Sequence, residues 1–167
     1  MQINGKKFDT PAIQIIPIIM GDETIILKAQ CIIDYSKFEA MCPAPKPPTV
    51  QKPGSQPIPN FEDKKYIEKM GKFAEKKTAF MILESLKATE GLTWDTIDYS
   101  NPETWDNYLE ELKKCFSEIQ CTQIISGVMT ANGLDSERIE QARKDFLAGT
   151  RVQPESLSSQ KEEPSST

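Results

Sequence analysis

The stretch from Pro43 to Pro59 limits the fold more than any other, because seven of the chain's twelve prolines fall within it. Proline fixes φ and lacks an N–H, so this segment can be neither helix interior nor central strand. It reads as an extended strap, close to polyproline II, between two halves of different pattern. Residues 1–42 carry β-branched runs and a short helix, residues 60–150 carry helical periodicity, and residues 151–167 are mostly Ser, Glu, Gln, Lys and Pro. The expected fold is α+β: an N-terminal β-hairpin joined by a proline-rich extended strap to a C-terminal bundle of about four α-helices. The tail lacks the apolar area to offset its ordering entropy and is expected to be disordered when alone.

The N-terminal runs Ala12–Ile19 and Thr24–Ile33 meet through Met20-Gly21-Asp22-Glu23, a glycine-containing hairpin turn. Pro17 inside the first run implies an edge position or a bulge, since an inner strand needs that N–H. In the second run Ile26, Lys28, Gln30 and Ile32 share one face, and Ile25, Leu27, Ala29, Cys31 and Ile33 share the other, which is taken as the core face. A lone hairpin is marginal in water, so this one must pack on the helices or on a neighbouring subunit.

Ser36 and Glu39 have capping-box spacing and open a short helix that Pro43 ends. Asn60 or Asp63 starts a long helix to about Thr89, stopped by Gly91, and its Ala79–Leu83 stretch is apolar nearly all round. Leu92–Asp98 reads as a short extended piece. Asn101-Pro102-Glu103 begins the next helix, with Trp105, Tyr108, Leu109, Leu112, Cys115 and Phe116 at helical spacing. A second capping box, Ser117 to Gln120, opens a helix that buries Cys121, Ile124, Ile125, Val128 and Met129 and closes at Asn132-Gly133. A last helix from about Asp135 to Ala148 turns Ile139, Ala142, Phe146 and Leu147 inward.

Composition excludes several chemistries. With no histidine, Ser–His and Cys–His nucleophiles and His-based metal triads are impossible. Four cysteines, at 31, 42, 115 and 121, form no CxxC pair and read as small apolar thiols in a reducing cytosol. A zinc site would need all four, or carboxylate help. Asp95 and Asp98 beside Trp94 are a carboxylate pair, but loop residues flanking a core tryptophan explain them better. No glycine-rich phosphate loop is present. The reading is therefore non-enzymatic, with no catalytic, cofactor-binding or metal-binding residue singled out.

A net charge of −5 argues against a nucleic-acid binder acting through overall charge. Residues 1–9 are polar and the run from Ile13 to Met20 is broken by Gln14 and Pro17, so no signal peptide is read. No stretch approaches the ~20 apolar residues of a membrane helix. Neither nucleic acid nor membrane is expected as a partner. Candidate contact residues are instead Ile26 and Ile32 on the outer hairpin face, Trp94 and Trp105, and the stripe Lys65, Lys69, Lys72 and Lys76 on one face of the long helix. For the tryptophans a core role is favoured over an interface. The lysine stripe is read as a solvated face, with Glu68 pairing to Lys72, ahead of a docking surface for an acidic partner.

One resemblance sharpens this. Leu92-Thr-Trp94-Asp-Thr-Ile97-Asp, then Asn101-Pro102-Glu-Thr-Trp105, Asn132-Gly133-Leu134 and Ile139-Glu140-x-Ala142-Arg143-x-x-Phe146-Leu147 resemble tail assembly chaperones of tailed bacteriophages over residues 40–148. The resemblance implies a largely helical, non-enzymatic protein of the host cytoplasm. It would bind the tape measure protein and help tail tube subunits assemble. Self-association into a homo-oligomer is left open beside these partners. Such chaperones are often followed by a frameshifted extension, and the polar tail from Val152 would suit a flexible junction to one. The N-terminal hairpin and strap exceed what a plain helical chaperone requires, and leave open a structural subunit of the virion that clamps its neighbours.

Overall fold

A computed structural model describes residues 2–3, 5–7, 11–51, 54 and 56–147. The expected polar tail, and Ala148 where the last helix is expected to end, lie outside these residues. The protein is mixed α/β, an antiparallel hairpin followed by helices, and it divides into two units, one ending at Leu134 and one beginning at Asp135.

Strands β1 (Gln2–Ile3) and β2 (Lys6–Lys7) form a minimal antiparallel pair. Strands β3 (Ile13–Met20) and β4 (Glu23–Gln30) form the main hairpin, eight residues each, in the register Ile16↔Leu27 and Pro17↔Ile26. Met20 pairs with Glu23, so the turn is the two residues Gly21-Asp22, and Gly21 takes φ 61°. That positive φ is what a tight hairpin turn asks of its first residue, and glycine adopts it without a Cβ clash. Ile16, Ile18, Leu27 and Ala29 alternate into the core, as the period of two requires.

The alternation stops where β4 stops. Cys31 N–H still donates to Ala12 O, but the Ile32 N–H is captured by Asn132 Oδ1 at 3.0 Å. Ile32, expected on the outer face, therefore turns inward and packs against the core, while Ile33, expected inward, is exposed.

Helix α1 (Ser36–Met41) buries Phe38. Its start is not the expected capping box: the Asp34 carboxylate accepts from the Ser36 N–H and hydroxyl, both at 2.8 Å. The proline-rich segment contains a two-residue ladder, β5 (Thr49–Val50) against β6 (Ile58–Pro59).

Helix α2 (Lys64–Leu86) starts at Asp63, whose Oδ1 accepts from the Tyr66 N–H at 2.8 Å. Every residue from Ala79 to Leu83 is buried, as its all-round apolar character requires. A 3-10 helix (Pro102–Asn107), capped by Asn101, leads into α3 (Tyr108–Cys115). Helix α4 (Glu118–Ala131) carries the complete Ser117–Gln120 capping box and packs on β3 and β4. Asn132 ends α4 and links three elements, with Nδ2 donating to Ser85 Oγ of α2 and Oδ1 accepting from Ile32.

Two clusters make the core. Ile16, Ile18, Leu27, Met81, Ile82, Leu86, Ile124 and Val128 belong to the first; Phe38, Ala79, Phe80, Leu83 and Trp105 form the second. The segment Leu92–Asp98 is irregular, not a strand. Its amides bond to a side chain instead of a sheet: the Glu111 carboxylate accepts from Asp95 N–H (2.8 Å), Thr96 N–H (2.7 Å) and Thr96 Oγ1 (2.6 Å).

In the second unit, α5 spans Ser136–Leu147, within the expected range. Ile139, expected inward, is 54% exposed. The inward expectation for Ala142, Phe146 and Leu147 lies outside the described side chains.

Candidate interaction surface

The outer face of the β3–β4 hairpin is a row of exposed isoleucines: Ile13 at 51%, Ile15 at 48%, Ile19 at 71% and, on the facing strand, Ile26 at 46%. The register puts Pro17 beside Ile26 and between Ile15 and Ile19, so these side chains form one apolar strip about 20 Å long at ~3.3 Å per residue. Single exposed apolar residues are ordinary, but a contiguous strip on one sheet face marks a binding surface. Ile26 is thus where the alternation placed it. The sequence pattern also contained Ile13, Ile15 and Ile19, and the interruption at Pro17 obscured their common face.

The strip is held rigid from behind. Gly127 of α4 lies so close to the hairpin that a Cβ there would sit 2.5 Å from both Cγ1 and Cδ1 of Ile16. The glutamines Gln120 and Gln123 of α4 donate to the carbonyls of Ile19 (2.7 Å) and Pro17 (2.8 Å). Sequence reasoning missed both glutamines, because their partners lie about a hundred residues away and no local pattern marks them.

The tryptophans divide. Trp105 is 1% exposed, lies with Phe80 at 5.3 Å and Phe38 at 6.3 Å between ring centroids, and its Nε1–H donates to Asp98 O at 3.2 Å. It is a core residue and offers no surface to another chain. Trp94 is half-buried and touches both clusters. Its Nε1 is buried without a partner in hydrogen-bond geometry among the described residues. Burial holds the nearby Tyr99 pKa above its ordinary value.

The lysine stripe is not uniform. Lys65, Lys69 and Lys72 are exposed, and Lys72 pairs with Glu68 at 3.0 Å, the expected i, i+4 pair. Lys76 instead turns toward the 3-10 helix and pairs with Glu103, and that hydrogen bond raises its pKa. Lys69, Lys72, Phe73 and Lys76 line an open groove of about 670 Å³ with Pro43 and Pro45. Glu75, Glu103 and Asp106 line it too, so its charge is mixed and selects neither an acidic nor a basic ligand.

Chemistry elsewhere is sparse. All four cysteines are free; burial pushes the Cys42 and Cys121 thiols up, away from the reactive thiolate, while Cys115 is exposed. Asp98 is exposed, and its pKa is lowered by the Ser100 hydroxyl and amide that it accepts from, so this carboxylate serves a turn. Among the described residues no group of three or more Cys, Asp or Glu could hold a metal ion, and no helix is long and apolar enough to cross a membrane.

Glu111 gives the surface loop a pH response. Burial works to raise its pKa, but the bonds from Thr96 and Asp95 outweigh it and the net shift is downward. A carboxylate with a depressed folded pKa adds stability above its unfolded value, and that contribution is lost as pH falls through the folded value. Amide exchange at Asp95 and Thr96, corrected for intrinsic rate, should therefore accelerate as pH drops below about 4. Glu111→Gln should show no such step.

The sequence matches no family model and no curated protein, and the fold matches no solved structure.

Proposed function

We propose that this chain is a non-enzymatic tail assembly chaperone of a tailed bacteriophage, acting in the host cytoplasm on the tape measure or tail tube protein. The phage assignment rests on the aromatic and turn pattern spanning residues 40–148. Its finer architecture, a proline strap leading into a bundle of about four helices, belongs to the same proposal. The observation that carries protein binding is the apolar strip Ile13, Ile15, Pro17, Ile19 and Ile26. A chaperone for an aggregation-prone chain needs an apolar surface held in one shape, and the contacts from α4 hold this one.

Co-expression decides it. The tape measure protein should become more soluble with the wild-type chain, and Ile15→Ser/Ile19→Ser should remove most of that gain while the chaperone stays folded. An unchanged soluble fraction with the wild type would refute the reading. A structural subunit of the virion is the second reading, favoured by the exposed β4 residues Thr24 and Ile26, whose backbone groups turn away from β3 and meet no partner among the described residues. Mass spectrometry of purified particles separates the two, since a subunit is found in stoichiometric amount and a chaperone only in traces.

A further inference from the structure

The sequence contains two Asn-Gly pairs, Asn4-Gly5 and Asn132-Gly133. Such a pair can deamidate without an enzyme. The glycine nitrogen attacks the asparagine Cγ, the Cγ–Nδ2 bond breaks, and ammonia departs with the proton of the former glycine N–H. Water then opens the cyclic imide at one carbonyl or the other, leaving aspartate or isoaspartate. Glycine suits this attack because it has no Cβ to crowd the nitrogen.

At Asn132 both reacting groups are tied. Oδ1 accepts from the Ile32 N–H at 3.0 Å, and Nδ2 donates to Ser85 Oγ and to Val128 O, each at 2.9 Å. The attacking nitrogen is engaged as well. Gly133, at φ 70°, closes α4 with a Schellman turn: its N–H donates to Thr130 O at 3.1 Å, and the Leu134 N–H reaches Met129 O at 2.9 Å. Asn132 itself is half-buried, and its partner Ser85 on α2 is fully buried.

We propose that Asn132-Gly133 is a deamidation site gated by the fold: inert while these bonds hold, reactive when the end of α4 opens, and self-locking once converted. Conversion exchanges the Nδ2 donor for a carboxylate oxygen. That oxygen would face the Val128 carbonyl, acceptor against acceptor, where the amide had made a hydrogen bond. Isoaspartate adds a backbone carbon at the turn itself, so the Gly133 and Leu134 amides no longer fall on Thr130 and Met129. Either product favours the open arrangement. An opening that is reversible in the amide form thus becomes permanent, at the point where α2, α4 and the end of β4 are joined. This gating is independent of the phage assignment.

Peptide-mapping mass spectrometry of the full chain tests it, in mildly alkaline buffer and in concentrated urea. In urea the two Asn-Gly pairs should convert at similar rates, since both are then free. In buffer Asn132 should convert at least ~tenfold more slowly than in urea, because only the open fraction reacts. The slowing should also equal or exceed the amide-exchange protection of Gly133, whose nitrogen must be released before it can attack. Asn132→Asp keeps the shape and removes the donor, so at neutral pH it should unfold at a lower urea concentration than the wild type, and failure to fold would be the extreme of the same result. Equal rates at Asn132 in buffer and urea, a slowing smaller than the Gly133 protection, or an Asn132→Asp variant as stable as the wild type would each overturn the proposal.

Discussion

Replacing Trp105 with alanine is expected to destabilise the protein by about 3–5 kcal/mol. The indole is fully enclosed between Phe38 of α1, Phe80 of α2 and the start of its own helix, so truncation leaves a cavity that three rigid elements cannot close. Against a whole-domain stability of about 5–15 kcal/mol this is a large fraction. Urea titration followed by circular dichroism measures it. Trp105→Phe should cost far less, because ring area is retained and the lost bond strands no acceptor. Asp98 O still receives the Asn101 N–H at 3.0 Å and the Thr104 hydroxyl at 3.1 Å. A loss under about 1 kcal/mol for Trp105→Ala would mean that the second cluster is not close-packed.

The second large effect reverses a usual sign. Alanine for glycine inside a helix ordinarily stabilises by about 0.5–1 kcal/mol. At Gly127 it should instead destabilise by about 1–3 kcal/mol, since the added methyl would overlap Ile16. Ile16 is buried and β-branched, with little rotamer freedom to withdraw. Gly71 of α2 is the control: it has open space around it, and Gly71→Ala should show the ordinary gain. Combining Gly127→Ala with Ile16→Ala should cost less than the sum of the two, because the second change removes the overlapping atoms. Thermal denaturation of the four proteins completes the comparison.

Local rules carried the sequence reading wherever local physics decides. The Gly21-Asp22 turn, the inward alternation of Leu27 and Ala29, the Ser117 capping box and the enclosed stretch Ala79–Leu83 all follow from residues within a few positions. Pro17 was legible in kind, because a two-stranded sheet has only edges and its missing N–H faces outward. Two failures share one cause, a distant side chain that substitutes for a backbone partner: Asn132 ends the β4 alternation at Ile32, and Glu111 keeps Leu92–Asp98 out of a sheet. The third is local, since Asp34, two residues before Ser36, supplies the α1 start in place of the Ser36–Glu39 box. Of the contact surface, Ile26 was legible as exposed, whereas Gln120 and Gln123, which bond the outward carbonyls of Ile19 and Pro17, were not.

Ile82 and Leu83 are neighbours on α2, yet one faces the hairpin cluster and the other the aromatic cluster. Melting either half would strip one side of the same helical turn and leave the other without a wall. The unit up to Leu134 should consequently lose its structure all at once, with no half-molten species accumulating on the way.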